Sequence, residues 1–213
     1  MNGDVGQMKI LYYSPEYYCR HGGRSHARGF FSALKSLPAV SASFLYPRSE
    51  PDHQSQYARD KKVSRGRLWF LPTTVRRLIA FFRPRPGLSR ELINEINTNR
   101  CDAILIRTGF ITPSLRMIKR ACPHKVVCLE INSALFDEAF SGLPLRPFFQ
   151  KLEVIGFNQA DAIVVVSSYL RDYLKRCGIP AEKILVNQNG VNAEAVKHLG
   201  SGRVRQEYGI PEN

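Results

Sequence analysis

The chain has 213 residues, 44% of them hydrophobic, with 31 Lys+Arg against 18 Asp+Glu for a net charge of +13. That length fits one sizeable core or at most two small domains, and that apolar content excludes a disordered chain. The charge bears on partners rather than fold, and leaves nucleic acid, an anionic membrane or a phosphorylated substrate open. The five cysteines (Cys19, Cys101, Cys122, Cys128, Cys177) are odd in number and form no CxxC pair. They read as reduced, buried thiols of a cytosolic protein. The opening MNGDVGQMKILYY has too short an apolar stretch for a signal peptide, and no run of about 18 apolar residues is present to span a bilayer.

Residues 9–14 (KILYYS) read as the first strand, broken by Pro15. A loop through Gly22 and Gly23 leads to a helix over 25–37, with Ala27, Phe30, Phe31 and Leu34 at helical spacing. Strand, glycine pair, helix is an order that aims free backbone N–H groups at an anion. A glycine pair is also a common plain turn, and it is not the GxGxxG of a dinucleotide site. Residues 40–46 read as a second strand.

The segment 59–85 is densely basic, with Arg59, Lys61, Lys62, Arg65, Arg67, Arg76, Arg77, Arg83 and Arg85 interleaved with Trp69, Phe70, Phe81 and Phe82. That mixture suits nucleic acid or an anionic membrane surface. No RNP, zinc-finger or helix-turn-helix pattern accompanies it, so no nucleic-acid partner is expected. An interfacial helix over 73–82, stopped by Pro84 and Pro86, is the expectation, with a solvated basic face as the plainer alternative.

Helix and strand then alternate. Helices are expected over 88–99 and 113–121, and strands over 102–107 and 125–131. A helix over 148–159 follows a proline-rich loop at 143–147. A strand over 162–166, a helix over 169–177 ended by Gly178 and Pro180, and a short strand over 184–186 complete the pattern. Ser167 or Ser168 is placed to cap the penultimate element. Asn189-Gly190 marks a turn, and 193–199 a short last helix.

Such alternation predicts an α/β fold, a single Rossmann-like doubly wound parallel sheet with helices on both faces. Ligands in these sheets sit beyond the carboxyl ends of the strands. The rule selects residues 15–23, 107–110, 130–137 and 167–168. Glu130 stands out, because a carboxylate in an otherwise apolar strand is costly unless it is paired or faces a cleft. Two readings remain open: a cleft residue, or a salt bridge with Arg107 on a neighbouring strand end.

The stretch ADAIVVVSSYLRDYL…GIPAEKILVNQNGVN resembles the end of the N-terminal domain of a family 4 glycosyltransferase of the GT-B fold. It departs at Asn187-Gln188, where the family usually has a proline, and at Asn192, where Asp is common. MKILYYSPEYYCRHGGRSHARGFFSAL resembles the family's first strand, Gly-Gly loop and helix. The resemblance places Gly22 and Gly23 at the interdomain cleft near the donor diphosphate and the acceptor, with Arg24 and His26 as further cleft candidates. CLEINSALFDE resembles a pattern whose strand-end residues line the acceptor pocket, which adds Glu130 and Asn132; the strand-end rule adds Arg107 and Ser167 to the cleft candidates. Many relatives carry a histidine there that contacts the donor sugar; this chain has none, so its acceptor chemistry is expected to differ.

The resemblance implies one half of a two-domain enzyme. Residues 1–200 would be the N-terminal domain. Residues 201–213, including EYGIP, would be a linker toward an absent C-terminal donor-binding domain, with Asn189, Gly190 and Val191 at the hinge. The implied function is the acceptor-binding half of a retaining, metal-independent transferase, with a nucleotide sugar as co-substrate, no cofactor and no metal. Its acceptor would be a saccharide, free or lipid-linked, met in the cytoplasm at the inner membrane face. On this reading the chain alone folds but does not catalyse. The alternatives are a stand-alone binding domain paired with a separate donor-binding subunit, and a basic nucleic-acid binder.

Overall fold

The structure is a computed structural model that describes residues 7–15, 17, 22–45, 72, 75, 86–108, 113–134, 142, 145–188 and 190. Six strands form one parallel sheet: β1 (Met8–Tyr13), β2 (Val40–Phe44), β3 (Ala103–Arg107), β4 (Val126–Ile131), β5 (Ala162–Val165) and β6 (Ile184–Val186). Their order is β2-β1-β3-β4-β5-β6, so the winding reverses between β1 and β3. Among the described residues the connecting helices are α1 (Gly22–Ser36), α2 (Pro86–Thr98), α3 (Leu115–Ala121), α4 (Arg146–Phe157) and α5 (Ser168–Arg176).

Alternation along each strand divides the side chains between the two faces. Leu11, Tyr13, Ile104, Ile106, Val127, Leu129, Ile131, Ile163 and Val165 form one core with Leu92 and Ile96 of α2, Ile118 of α3, Phe157 of α4 and Leu174 of α5. Tyr12 turns to the other face, where it packs against Phe30 and Phe31 of α1 and Phe44 of β2. Helices therefore lie on both faces, and the doubly wound architecture expected from the sequence is present.

The aspartates before β3 and β5 pin the amino edge of the sheet. Asp102 Oδ2 accepts from the Lys9 N–H at 2.9 Å, and Asp161 Oδ2 from the Val127 N–H at 2.8 Å. Lys119 Nζ also donates to Asp161 at 2.7 Å. The repeated Asp-plus-apolar run thus has a structural use: each carboxylate satisfies the first free donor of the neighbouring strand.

Several boundaries differ from those expected. α1 begins at Gly22, so the glycine pair forms its first turn rather than a loop before it. Pro86 opens α2, and Pro147 lies in the first turn of α4 rather than in a loop. Proline is suited to a first helical turn, where its missing N–H has no intrahelical partner to lose. β2 ends at Phe44 and β5 at Val165. Gly178, after α5, has φ +90°, the left-handed geometry that lets glycine end a helix. Cys101 and Cys122 are buried free thiols, whereas Cys128 and Cys177, expected to be buried, are only half-buried. Burial pushes the Cys101, Cys122 and Cys128 thiols up. Cys19, the basic segment 59–85 with its helix 73–82, the helix 193–199, Asn189, Val191 and the linker 201–213 lie outside the described residues, apart from isolated positions 72 and 75.

Candidate functional site

β1, β3 and β4 run parallel and adjacent, so their carboxyl ends meet on one edge beside the winding reversal. Register fixes what meets there. Tyr12 pairs with Leu105, and Arg107 pairs with Glu130. Paired residues share a face, so Arg107 and Glu130 point to the face that α1 covers, as Tyr12 does one step earlier.

Glu130 is 1% exposed, and three donors converge on it. Arg107 Nη1 donates to Oε1 at 2.5 Å. His26 Nε2 lies 2.6 Å from the same oxygen. The Tyr12 hydroxyl donates to Oε2 at 3.1 Å. Burial alone would raise the Glu130 pKa. The His26 hydrogen bond and the Arg107 charge outweigh it, and the carboxyl titrates below its usual range. Burial and the Glu130 charge push the Tyr12 hydroxyl far up, so it stays a neutral donor.

Arg107 is held from both sides. With its amide oxygen turned to the guanidinium, the Asn132 side chain lies against Arg107, the oxygen 2.6 Å from Nη1, 2.8 Å from Nη2 and 3.1 Å from Nε. Thr108 fastens the strand ends, its N–H and hydroxyl both donating to the Glu130 carbonyl at 2.9 and 3.2 Å. The buried carboxylate and guanidinium and the half-buried amide thus form one polar unit with little freedom. His26, on α1, is its rim: the side chain is 22% exposed, against 2% for Glu130.

Of the residues selected from sequence, His26, Arg107, Glu130 and Asn132 come together here. The salt bridge between Glu130 and Arg107 is present, and Glu130 also bonds the partly buried His26. Gly22 and Gly23 are the first residues of the helix that carries His26, and Arg24 is half-buried beside them without joining the cluster. Ser167 caps α5, as its place after the strand suggests, its Oγ accepting from the Leu170 N–H at 3.2 Å. Gly190 is exposed. Sequence reasoning does not select Tyr12. Its signal is a phenol inside a buried strand, where a hydroxyl needs a partner.

Among the described residues no cluster of three or more His, Cys, Asp or Glu is placed to hold a metal ion, and no helix is long and apolar enough to cross a membrane.

The sequence profile of Glycosyltransferase Family 4 matches residues 26–195. No curated protein sequence matches the chain. Among solved structures, a UDP-N-acetylglucosamine 2-epimerase is similar at 14% identity and a TM-score of 0.46, over 91% of this chain and 55% of the epimerase. The N-terminal domain of a Candida albicans trehalose-6-phosphate phosphatase is similar at 13% identity and a TM-score of 0.42, over 94% of this chain and 53% of that one. The chain therefore spans little more than half the length of either.

Proposed function

Since the chain belongs to glycosyltransferase family 4, we propose that its part in glycosyl transfer is to bind the acceptor, as one side of a retaining, metal-independent reaction that draws on a nucleotide sugar. The observation that carries this reading is the Glu130 unit at the carboxyl edge of β1, β3 and β4. An ionised carboxylate at 1% exposure is retained at a sheet edge where ligands bind in doubly wound folds, and it is linked to the surface through His26. Saccharides are bound through hydroxyls that both donate and accept, and a rigid mixed set of donors and acceptors orients them. The first-turn N–H groups of α1, at Gly22 and Gly23, are suited to the negative charge of the departing diphosphate. A donor-binding domain or subunit would complete the cleft.

The +13 charge also favours an anionic surface as the place where a lipid-linked acceptor is met, through the basic segment 59–85. Co-sedimentation with anionic vesicles at low salt tests that part, and its absence there removes it.

The transfer itself is tested with the protein as its source cell makes it, captured with an antibody to this domain. It is supplied with labelled nucleotide sugars and a lipid and saccharide extract of the same cell. Incorporation of label into the extract, lost on Glu130→Gln, is the expected result. Absence of incorporation from every donor, with oligonucleotide binding in its place, contradicts the reading.

A further inference from the structure

The bond between His26 and Glu130 fixes more than a position. Nε2 lies 2.6 Å from Oε1 of a carboxylate that also accepts from Arg107 and Tyr12. An ionised carboxylate only accepts, so the proton of the His26 bond belongs to Nε2. In the neutral imidazole the other nitrogen, Nδ1, is then a bare lone pair. Among the described residues Glu130 is the one hydrogen-bond partner of the ring, and the Phe30 ring, one turn on, lies 6.3 Å away between centroids. The side chain keeps 22% of its surface open.

The rest of the cluster is spent on itself. Arg107 has no acceptor to offer, and the Tyr12 proton is committed to Glu130. Both Glu130 oxygens already take protein donors, and the Asn132 oxygen is turned to Arg107. Oε2 of Glu130 keeps a further lone pair, but Glu130 is 1% exposed, so the acceptor carried on a partly open side chain is Nδ1 of the neutral His26. A saccharide hydroxyl is the complementary group, since it can donate to Nδ1 while its oxygen still has lone pairs for other partners.

We propose that Glu130 is a positioning residue that locks His26 in the Nε2–H tautomer, and that Nδ1 accepts a hydrogen bond from one hydroxyl of the saccharide acceptor and so selects which hydroxyl is presented for transfer. The ligand half rests on the acceptor-binding reading above; the tautomer does not.

The tautomer is read by long-range proton–nitrogen correlation of the His26 ring in the full chain, at a pH where the ring is neutral. The wild-type protein is expected to show Nε2 fully protonated and Nδ1 bare, and Glu130→Ala to fall back to the tautomer mixture of a free imidazole, in which Nε2–H is only the larger share. Should Glu130→Ala fail to fold, Glu130→Gln serves, because its amide can accept from Nε2 or donate to it and so imposes neither tautomer. A protonated Nδ1 in the wild type, or an unchanged tautomer in the folded variant, overturns the lock.

The ligand half is read by titrating the same sample with the methyl glycosides of glucose, galactose, mannose and N-acetylglucosamine. A bound glycoside is expected to move the Nδ1 resonance more than that of Nε2. His26→Lys keeps an N–H for Glu130 and carries no acceptor. It is expected to bind the glycoside about 10-fold more weakly, the loss of roughly one hydrogen bond. Equal binding by His26→Lys overturns this half. Binding of none of the four by the wild type overturns it together with the acceptor-binding reading, while the tautomer stands or falls on the spectrum alone.

Discussion

Arg107 and Glu130 stand opposite each other in the parallel register of β3 and β4, and their side chains meet at 2.5 Å on the face that α1 covers. Both residues are almost wholly buried. A pair of that kind contributes little net stability when intact, because each charge has lost its water. Removing one partner leaves the other charged and unmatched, which costs about 3–5 kcal/mol. Arg107→Ala and Glu130→Ala are each expected to lower unfolding stability by that order in urea titration. The double variant is expected to lose much less than the two single losses added together, because the second removal takes away the stranded charge.

The same pair sets an acid limit. The Glu130 carboxyl titrates below the usual range when folded, whereas in the unfolded chain it titrates near 4.3. A depressed folded pKa adds stability that is present above the unfolded value and lost as pH falls through the folded one. Wild-type stability is therefore expected to drop steeply below about pH 4, and the drop to be shallower in Glu130→Gln. Denaturant midpoints measured across acidic pH check this.

Tyr12 makes the opposite prediction at high pH. Its hydroxyl is pushed far above the ordinary value by burial and by the Glu130 charge. The stability tied to the neutral phenol is fully present below the unfolded pKa of about 10 and is lost as pH rises above that toward the folded value. Tyr12→Phe keeps the ring packed on Phe30, Phe31 and Phe44 but removes the donor to Glu130. A hydrogen bond to a charged group is worth about 1.5–3 kcal/mol. A loss of that order at neutral pH, shrinking on titration above about pH 10, is the expected result.

Ser167 separates a cap from a cleft residue. Its Oγ holds the Leu170 N–H in the first turn of α5. Ser167→Ala is expected to cost about 1 kcal/mol of stability. Ser167→Asp, which caps equally well and adds a favourable charge at the helix start, is expected to restore it. Thermal unfolding of both variants gives the answer.

The strands are legible in the sequence because each is a short apolar run bounded by a turn signal, as Ala162–Val165 shows. Glu130 and Arg107 are legible for a related reason: a charge in such a run is conspicuous. Helix starts are not. Gly22-Gly23, Pro86 and Pro147 all look like helix breakers, yet each lies in a first turn, where the usual penalty of proline is absent and glycine still leaves the N–H groups clear. Tyr12 is hidden for another reason. The strand order puts β1 beside β3 and one strand from β4, so Tyr12 and Glu130, 118 residues apart, become neighbours only through that topology. No periodicity within β1 announces it.

On the proposed acceptor-binding role, the edge where Tyr12, His26, Arg107, Glu130 and Asn132 converge receives the acceptor. The most direct measurement is backbone chemical-shift mapping of the full chain titrated with saccharide fractions from its source cell. The account predicts perturbations grouped at the ends of β1, β3 and β4 and the start of α1, and their disappearance in Glu130→Gln. Perturbations confined to the amino edge, around Asp102 and Asp161, or unaltered by Glu130→Gln would contradict it.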